Sequence, residues 1–91
     1  MEFEWDPAKA ASNLAKHGVA FSDAATVFGD PLAITYHDID HSSQEDRFIT
    51  FGSTVSGRLV AVVHVDRDKR VRIVSARSLT RRERKQYEEI I

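Results

Sequence analysis

The apolar positions of this 91-residue chain change period part-way along it. Before Pro31 they recur at helical spacing. Ala8, Ala11, Leu14 and Ala15 form one stripe, while Lys9, Asn13, Lys16 and His17 recur at i, i+4, i+7 and i+8 along another. Asp6 can cap a helix whose first residue is Pro7, and Gly18 follows the basic pair Lys16-His17, the favoured order at a helix end. A first helix is therefore predicted over Pro7–His17. Ser22 is read as the cap of a shorter second helix from Asp23 to Phe28, stopped by Gly29-Asp30-Pro31.

After Pro31 the period falls to two. Leu32–Tyr36, Arg47–Phe51, Leu59–Val65 and Val71–Ala76 predict four strands. The turns that join the last three are too short for a parallel crossover, so an antiparallel meander is expected. The third run is apolar on both faces except for His64 and belongs in the middle of the sheet. Thr80-Arg81-Arg82-Glu83 is a capping box that opens a last helix to Ile91, with Glu83, Tyr87, Ile90 and Ile91 on one stripe. The expected fold is α+β in one domain spanning 1–91: two N-terminal helices, a four-stranded antiparallel sheet and a C-terminal helix.

Composition narrows the chemistry. The chain has no cysteine, which excludes disulfide staples, thiolate nucleophiles and cysteine-ligated zinc. It has no apolar run long enough to cross a bilayer, and its charged start, Met1 to Asp6, lacks the apolar core of a signal peptide. A cytoplasmic protein with no membrane partner is expected. The formal net charge of −1 hides a segregation: nine of the thirteen Lys and Arg residues lie between Arg67 and Lys85, opposed there only by Asp68 and Glu83. Residues 1–66 carry four basic and ten acidic side chains. Clustered cations of this kind suit phosphate binding, and they equally suit a solvated helix face.

Several residues carry candidate chemistry. The polar row of the first helix offers two ammonium groups, an amide and an imidazole able to exchange a proton near neutral pH. In a regular fourth strand, Val71, Ile73, Ser75 and Arg77 face one way and Arg72, Val74 and Ala76 the other, so the two arginines would point oppositely. Either can grip a phosphodiester through its planar fork or pair with Glu45, Asp46 or Glu83. Glu45 and Arg47 flank the start of the second strand, as acid and base at a strand mouth or as surface ions. Tyr87 is expected to pack on the sheet with its hydroxyl at the edge, either touching a substrate or satisfied within the core. His37-Asp38-Ile39-Asp40-His41 imitates a metal site but reads as an acidic loop, and no metal or cofactor is assigned.

The spacing Phe3-x-Trp5-Asp6-x-x-Lys9-x-x-x-Asn13-x-x-Lys16-His17-Gly18-Val19-x-Phe21, then Ala25-x-Val27-Phe28-x-Asp30, and later Arg72-Ile73-Val74-Ser75-Ala76-Arg77 with Glu83 and Tyr87, resembles the BrnT family of bacterial toxins. The usual Ile-Ile before Ser-Ala-Arg is here Ile73-Val74. The resemblance implies a RelE-like fold and a ribonuclease of a type II toxin–antitoxin pair that inhibits translation and growth. It further implies neutralisation by a BrnA-like ribbon-helix-helix antitoxin, the complex repressing its operon and touching operator DNA only through the antitoxin. On that reading RNA is cut without metal, by attack of the ribose 2′-hydroxyl on the neighbouring phosphate. The expected catalytic set is Lys16, His17, Glu45, Arg47, Arg72, Arg77 and Tyr87. Within it, His17, Glu45 and Tyr87 are acid and base candidates and the cations stabilise charge. Lys9, Arg70, Arg81, Arg82 and Lys85 are expected RNA contacts. The alternatives are a non-catalytic basic module that binds RNA or protein and, further off, a metal nuclease built on His37 to His41.

Overall fold

A computed structural model describes residues 1–90, with side chains through residue 89. The elements follow in the order β1 (Glu2–Glu4), α1 (Pro7–His17), α2 (Phe21–Ala24), a 3-10 turn (Ala25–Gly29), β2 (Ile34–His37), a second 3-10 turn (Ile39–His41), β3 (Arg47–Ser53), β4 (Leu59–Arg67), β5 (Arg70–Ser78) and α3 (Arg81–Ile90). Among the described residues the sheet has five strands, not four, in the order β1-β5-β4-β3-β2. β2 to β5 form the expected antiparallel meander with β4 at its centre, and β1 adds a parallel strand beside β5. The sheet is therefore mixed. The alternation Glu2-Phe3-Glu4-Trp5 carried the period of a strand, but the partner lies at the other end of the chain.

Helix α1 keeps its predicted bounds for the predicted reasons. Asp6 accepts a hydrogen bond from the Ala8 N–H at 2.8 Å, and Gly18 adopts φ +68° while its N–H closes on the Leu14 carbonyl. Only glycine takes that left-handed conformation at little cost. The stripe of Ala8, Ala11, Leu14 and Ala15 is not the packing face, since all four are exposed. Asn13 is the buried residue of the helix. Its amide donates to the carbonyls of Val19 and Ala76 at 3.0 and 2.8 Å and accepts from the Ala76 N–H at 3.1 Å. The side chain thus occupies the ladder position beside β5 that a neighbouring strand would fill, just beyond where β1 ends.

The second helix also differs from expectation. Ser22 is not its cap; Ala20 holds that position, and after one turn of α-helix the chain tightens into the 3-10 turn. The apolar side chains of this segment set the geometry. Val19, Phe21, Ala24 and Val27 pack on Val60, Val62, Ile73 and Ala76, with Phe3, Trp5 and Phe28 around them. Each buried Val, Ile or Phe side chain there contributes about 1.5–3 kcal/mol. Gly52 admits the close approach of the 3-10 turn, because a Cβ at that position would stand 3.1 Å from the Cβ of Val27.

The same side of the sheet contains one polar line. Thr35, Thr50 and His64 are joined by hydrogen bonds of 2.8 Å, and His64 Nδ1 reaches Asp66 at 3.0 Å. The imidazole sits between Phe28 and Phe48. Burial pushes its pKa below the ordinary value, against the opposing pull of Asp66.

Among the described residues, the opposite side is covered by α3 at one end. Tyr87 packs there with Phe51 and Ala61, bordered by Ile34, Ile49, Leu59 and Leu79. The capping box forms as predicted, with Glu83 accepting from the Thr80 N–H and Thr80 Oγ1 accepting from the Glu83 N–H. The side chain of Ile90 and the whole of Ile91 lie outside the described residues, so the stripe predicted to include them is seen only at Glu83 and Tyr87.

Candidate nucleic-acid interface

The decisive local feature is a bulge. β4 pairs with β5 as Ala61 with Arg77, Val63 with Ser75, then His64 with Ile73 and Val65 with Arg72, so Val74 is an extra residue on β5. An inserted residue reverses the alternation beyond it. Ile73 and Ala76 consequently both enter the core, while Arg72, Ser75 and Arg77 all share the other face with Ala61, Val63 and Val65. The two arginines do not point oppositely. Through the register of β3, Arg47, Ile49 and Phe51 join them on that open face.

Where α1 flanks this face, Lys9, Ser12, Asn13, Lys16 and His17 meet Arg47, Val74 and Ser75 around an open pocket of about 340 Å³. Four of the predicted residues, Lys9, Lys16, His17 and Arg47, are thereby brought together from the first helix and the second predicted strand. No Asp or Glu among the described residues lines the pocket. Among the described residues, none of those four has a carboxylate within 4.0 Å. Cations without counter-charges keep their full attraction for an incoming anion.

The other predicted residues are placed differently. Arg72 shares the face but pairs with Glu4 at 3.1 Å, and Arg70 pairs with Glu2 at 3.3 Å. Glu45 pairs with Arg67 at 3.2 Å. Arg77 makes a two-pronged contact with Glu83 at 2.6 and 2.9 Å. That guanidinium, with the Thr80 contacts, holds the Glu83 carboxyl below the usual range against the opposing effect of burial. Tyr87 is only 5% exposed, and its hydroxyl donates to Asp30 Oδ2 at 2.7 Å. Burial and that carboxylate push the phenol up to about 12. Asp30 in turn stays below its ordinary value: burial opposes this, but the N–H groups of Ser53 and Leu32 and the Tyr87 hydroxyl outweigh it. Arg81, Arg82 and Lys85 are exposed on α3 and do not line the pocket.

Sequence reasoning missed Ser12 and Ser75 as pocket residues. Ser12 falls between Lys9 and Lys16 on the helix and was legible there; Ser75 depended on the bulge, for which no local signal exists. The His37 to His41 segment forms side-chain pairs, His37 with Asp46 at 3.2 Å and His41 with Asp38 at 3.0 Å. Among the described residues no group of three His, Asp or Glu side chains could hold a metal ion.

Residues 5–83 match the family model described as ribonuclease toxin, BrnT, of type II toxin–antitoxin system. The chain belongs to the BrnT family. The matched span includes every residue lining the pocket and ends at Glu83, before Lys85 and Tyr87. The fold agrees with that of the Brucella abortus ribonuclease toxin BrnT, a crystal structure with a TM-score of 0.67 and 24% identity, covering 89% of this chain and 99% of that one. No curated protein sequence matches the chain. As BrnT-family members are ribonuclease toxins of type II pairs, an RNA target and an antitoxin partner are implied. Among the described residues, no helix of this member is long and apolar enough to cross a membrane.

Proposed function

We propose that this BrnT-family chain is an endoribonuclease that cuts RNA at the pocket between α1 and the open sheet face, by metal-independent transesterification. The observation that carries the reading is the convergence of Lys9, Lys16, His17 and Arg47, without counter-charges among the described residues, beside the hydroxyls of Ser12 and Ser75. In the reaction the ribose 2′-oxygen bonds to the adjacent phosphorus, the bond from phosphorus to the 5′-oxygen breaks, and a 2′,3′-cyclic phosphate remains. His17 takes the 2′-hydroxyl proton. Arg47 and the two ammonium groups balance the charge that builds on the phosphoryl oxygens, and Lys16 supplies the proton for the leaving 5′-oxygen. A donor set of cations, hydroxyls and one imidazole suits this chemistry and offers nothing a hard divalent ion would choose.

Arg72 lies on the same face with its charge held by Glu4. Arg77, Glu83 and Tyr87 fix α3 in place, and Glu45 serves as a counter-ion to Arg67. A BrnA-like ribbon-helix-helix antitoxin neutralises the toxin by laying acidic side chains over the pocket, and the pair represses its own operon through the antitoxin's DNA-reading part.

The test is incubation of purified protein with end-labelled RNA in EDTA, beside the same sequence as DNA and beside His17→Ala and Arg47→Ala variants. RNA products ending in cyclic phosphate, intact DNA and much slower variants are expected. Activity lost on chelation, or variants as fast as the parent, would overturn the assignment.

A further inference from the structure

The open face holds more than the cationic pocket. Register places Tyr36 opposite Ile49, Ile49 opposite Val63, and Val63 opposite Ser75. Directly paired residues present their side chains on one face, so these four form a single row across the sheet. It runs from the outer strand β2 to the pocket-lining Ser75. With strands about 4.8 Å apart, three spacings put Tyr36 roughly 14 Å from the pocket end of the row. That span is a few nucleotides of extended strand. Ile49 and Val63 are half-buried, and Tyr36 is 41% exposed. The ring is not loose, since it leans on Phe51 with centroids 5.4 Å apart. An aromatic side chain braced beneath and open above, at the end of an apolar floor, has the geometry of a base-stacking platform.

We infer that Tyr36 stacks on an unpaired base of the RNA whose phosphate lies in the pocket, and so orients the strand across β3 and β4. The inference rests on the ribonuclease reading. The occupant is single-stranded RNA because the row leads directly into cations that lack counter-charges, and a polyanion with flat apolar bases matches both ends at once. Duplex RNA would keep its bases stacked on one another and gain nothing from the ring. Tyr36 is thus a positioning residue that touches a base away from the cut. Its loss weakens binding and spares the chemical step for substrate already bound.

The experiment uses an RNA oligonucleotide with a single 2′-deoxy substitution at the cleaved nucleotide, which blocks cutting, and 2-aminopurine placed in turn at positions flanking it. Binding to the parent should quench 2-aminopurine at one flanking position. Tyr36→Leu keeps apolar cover over Phe51 but removes the π-face; it should bind about tenfold more weakly and lose that quenching. Tyr36→Trp should retain both. In cleavage of the all-ribose RNA, Tyr36→Leu should raise KM with kcat little changed. A parent that binds and cuts RNA while Tyr36→Leu, folded to the same melting temperature, matches it in affinity and quenching would overturn this inference and leave the ribonuclease reading standing. A parent that neither binds nor cuts RNA would overturn both.

Discussion

Two cationic regions of this molecule differ in what they can do. The segment from Arg67 to Lys85 holds most of the basic residues, yet its Arg67, Arg70, Arg72 and Arg77 are each engaged by a glutamate. The pocket beside α1 draws on sparse cations in an otherwise acidic stretch, and none of Lys9, Lys16, His17 and Arg47 has a carboxylate partner among the described residues. The acidic N-terminal body is largely what neutralises the basic strand, through Glu2, Glu4 and Glu45. Charge density along a chain is therefore a poor guide to charge that a ligand can use. What matters is which uncompensated cations the fold gathers: among the described residues Lys69, Arg81, Arg82, Arg84 and Lys85 also lack a carboxylate partner, but they do not line the pocket.

The largest expected effects lie in the uncompensated set. His17→Ala should slow RNA cleavage by about 10²–10⁴-fold, and Arg47→Ala by about 10²-fold, read from initial rates at saturating RNA. Comparable losses from Arg70→Ala would erase the distinction between the two regions. Next comes Asn13→Ala, which removes three hydrogen bonds from buried backbone groups of Val19 and Ala76. It should lower stability by about 3 kcal/mol, measured as a shift in denaturant midpoint at unchanged slope.

Acid should act on the compensated network. Asp30 and Glu83 have folded pKa values below the ordinary carboxylate range, so the stability they add is present above that range and is lost as pH falls through the folded values. His64 is depressed as well. An unfolded chain then takes up its proton first, and stability declines as pH drops below the ordinary imidazole range. Melting temperature should therefore fall monotonically from neutral pH downwards; a rise on acidification would contradict both. Smaller still, Glu83→Ala removes one half of the α3 capping box, the contact to the Thr80 N–H, together with the Arg77 contact, and should cost about 1 kcal/mol by thermal melting. Arg70→Ala, at an exposed pair, should stay within about 0.5 kcal/mol in stability.

Much of the fold was legible because its signals were local. Asp6, Pro7 and Gly18 bounded α1, Thr80 and Glu83 announced α3, and short turns forced the meander. β1 escaped because three residues pair in parallel with a segment at the far end of the chain, a contact no window can see. The candidate site was legible in its helical half, where Lys9, Lys16 and His17 recur with the period of the helix and line one pocket. Its sheet half required Val74 to be the inserted residue, which only the pairing with β4 decides. Asn13 was read as one more polar residue on an exposed face, since nothing in its neighbourhood indicates that its amide faces the backbone of Ala76.

That amide has a bearing on colloidal behaviour. Long unpaired strand edges invite a second chain to add itself to the sheet, the first step towards fibrils. On the β5 side, β1 covers the stretch from Arg70 to Arg72 and Asn13 occupies the backbone of Ala76. On the other side the outermost strand, β2, is only four residues long. One asparagine on a helix thus helps keep the sheet from templating copies of itself.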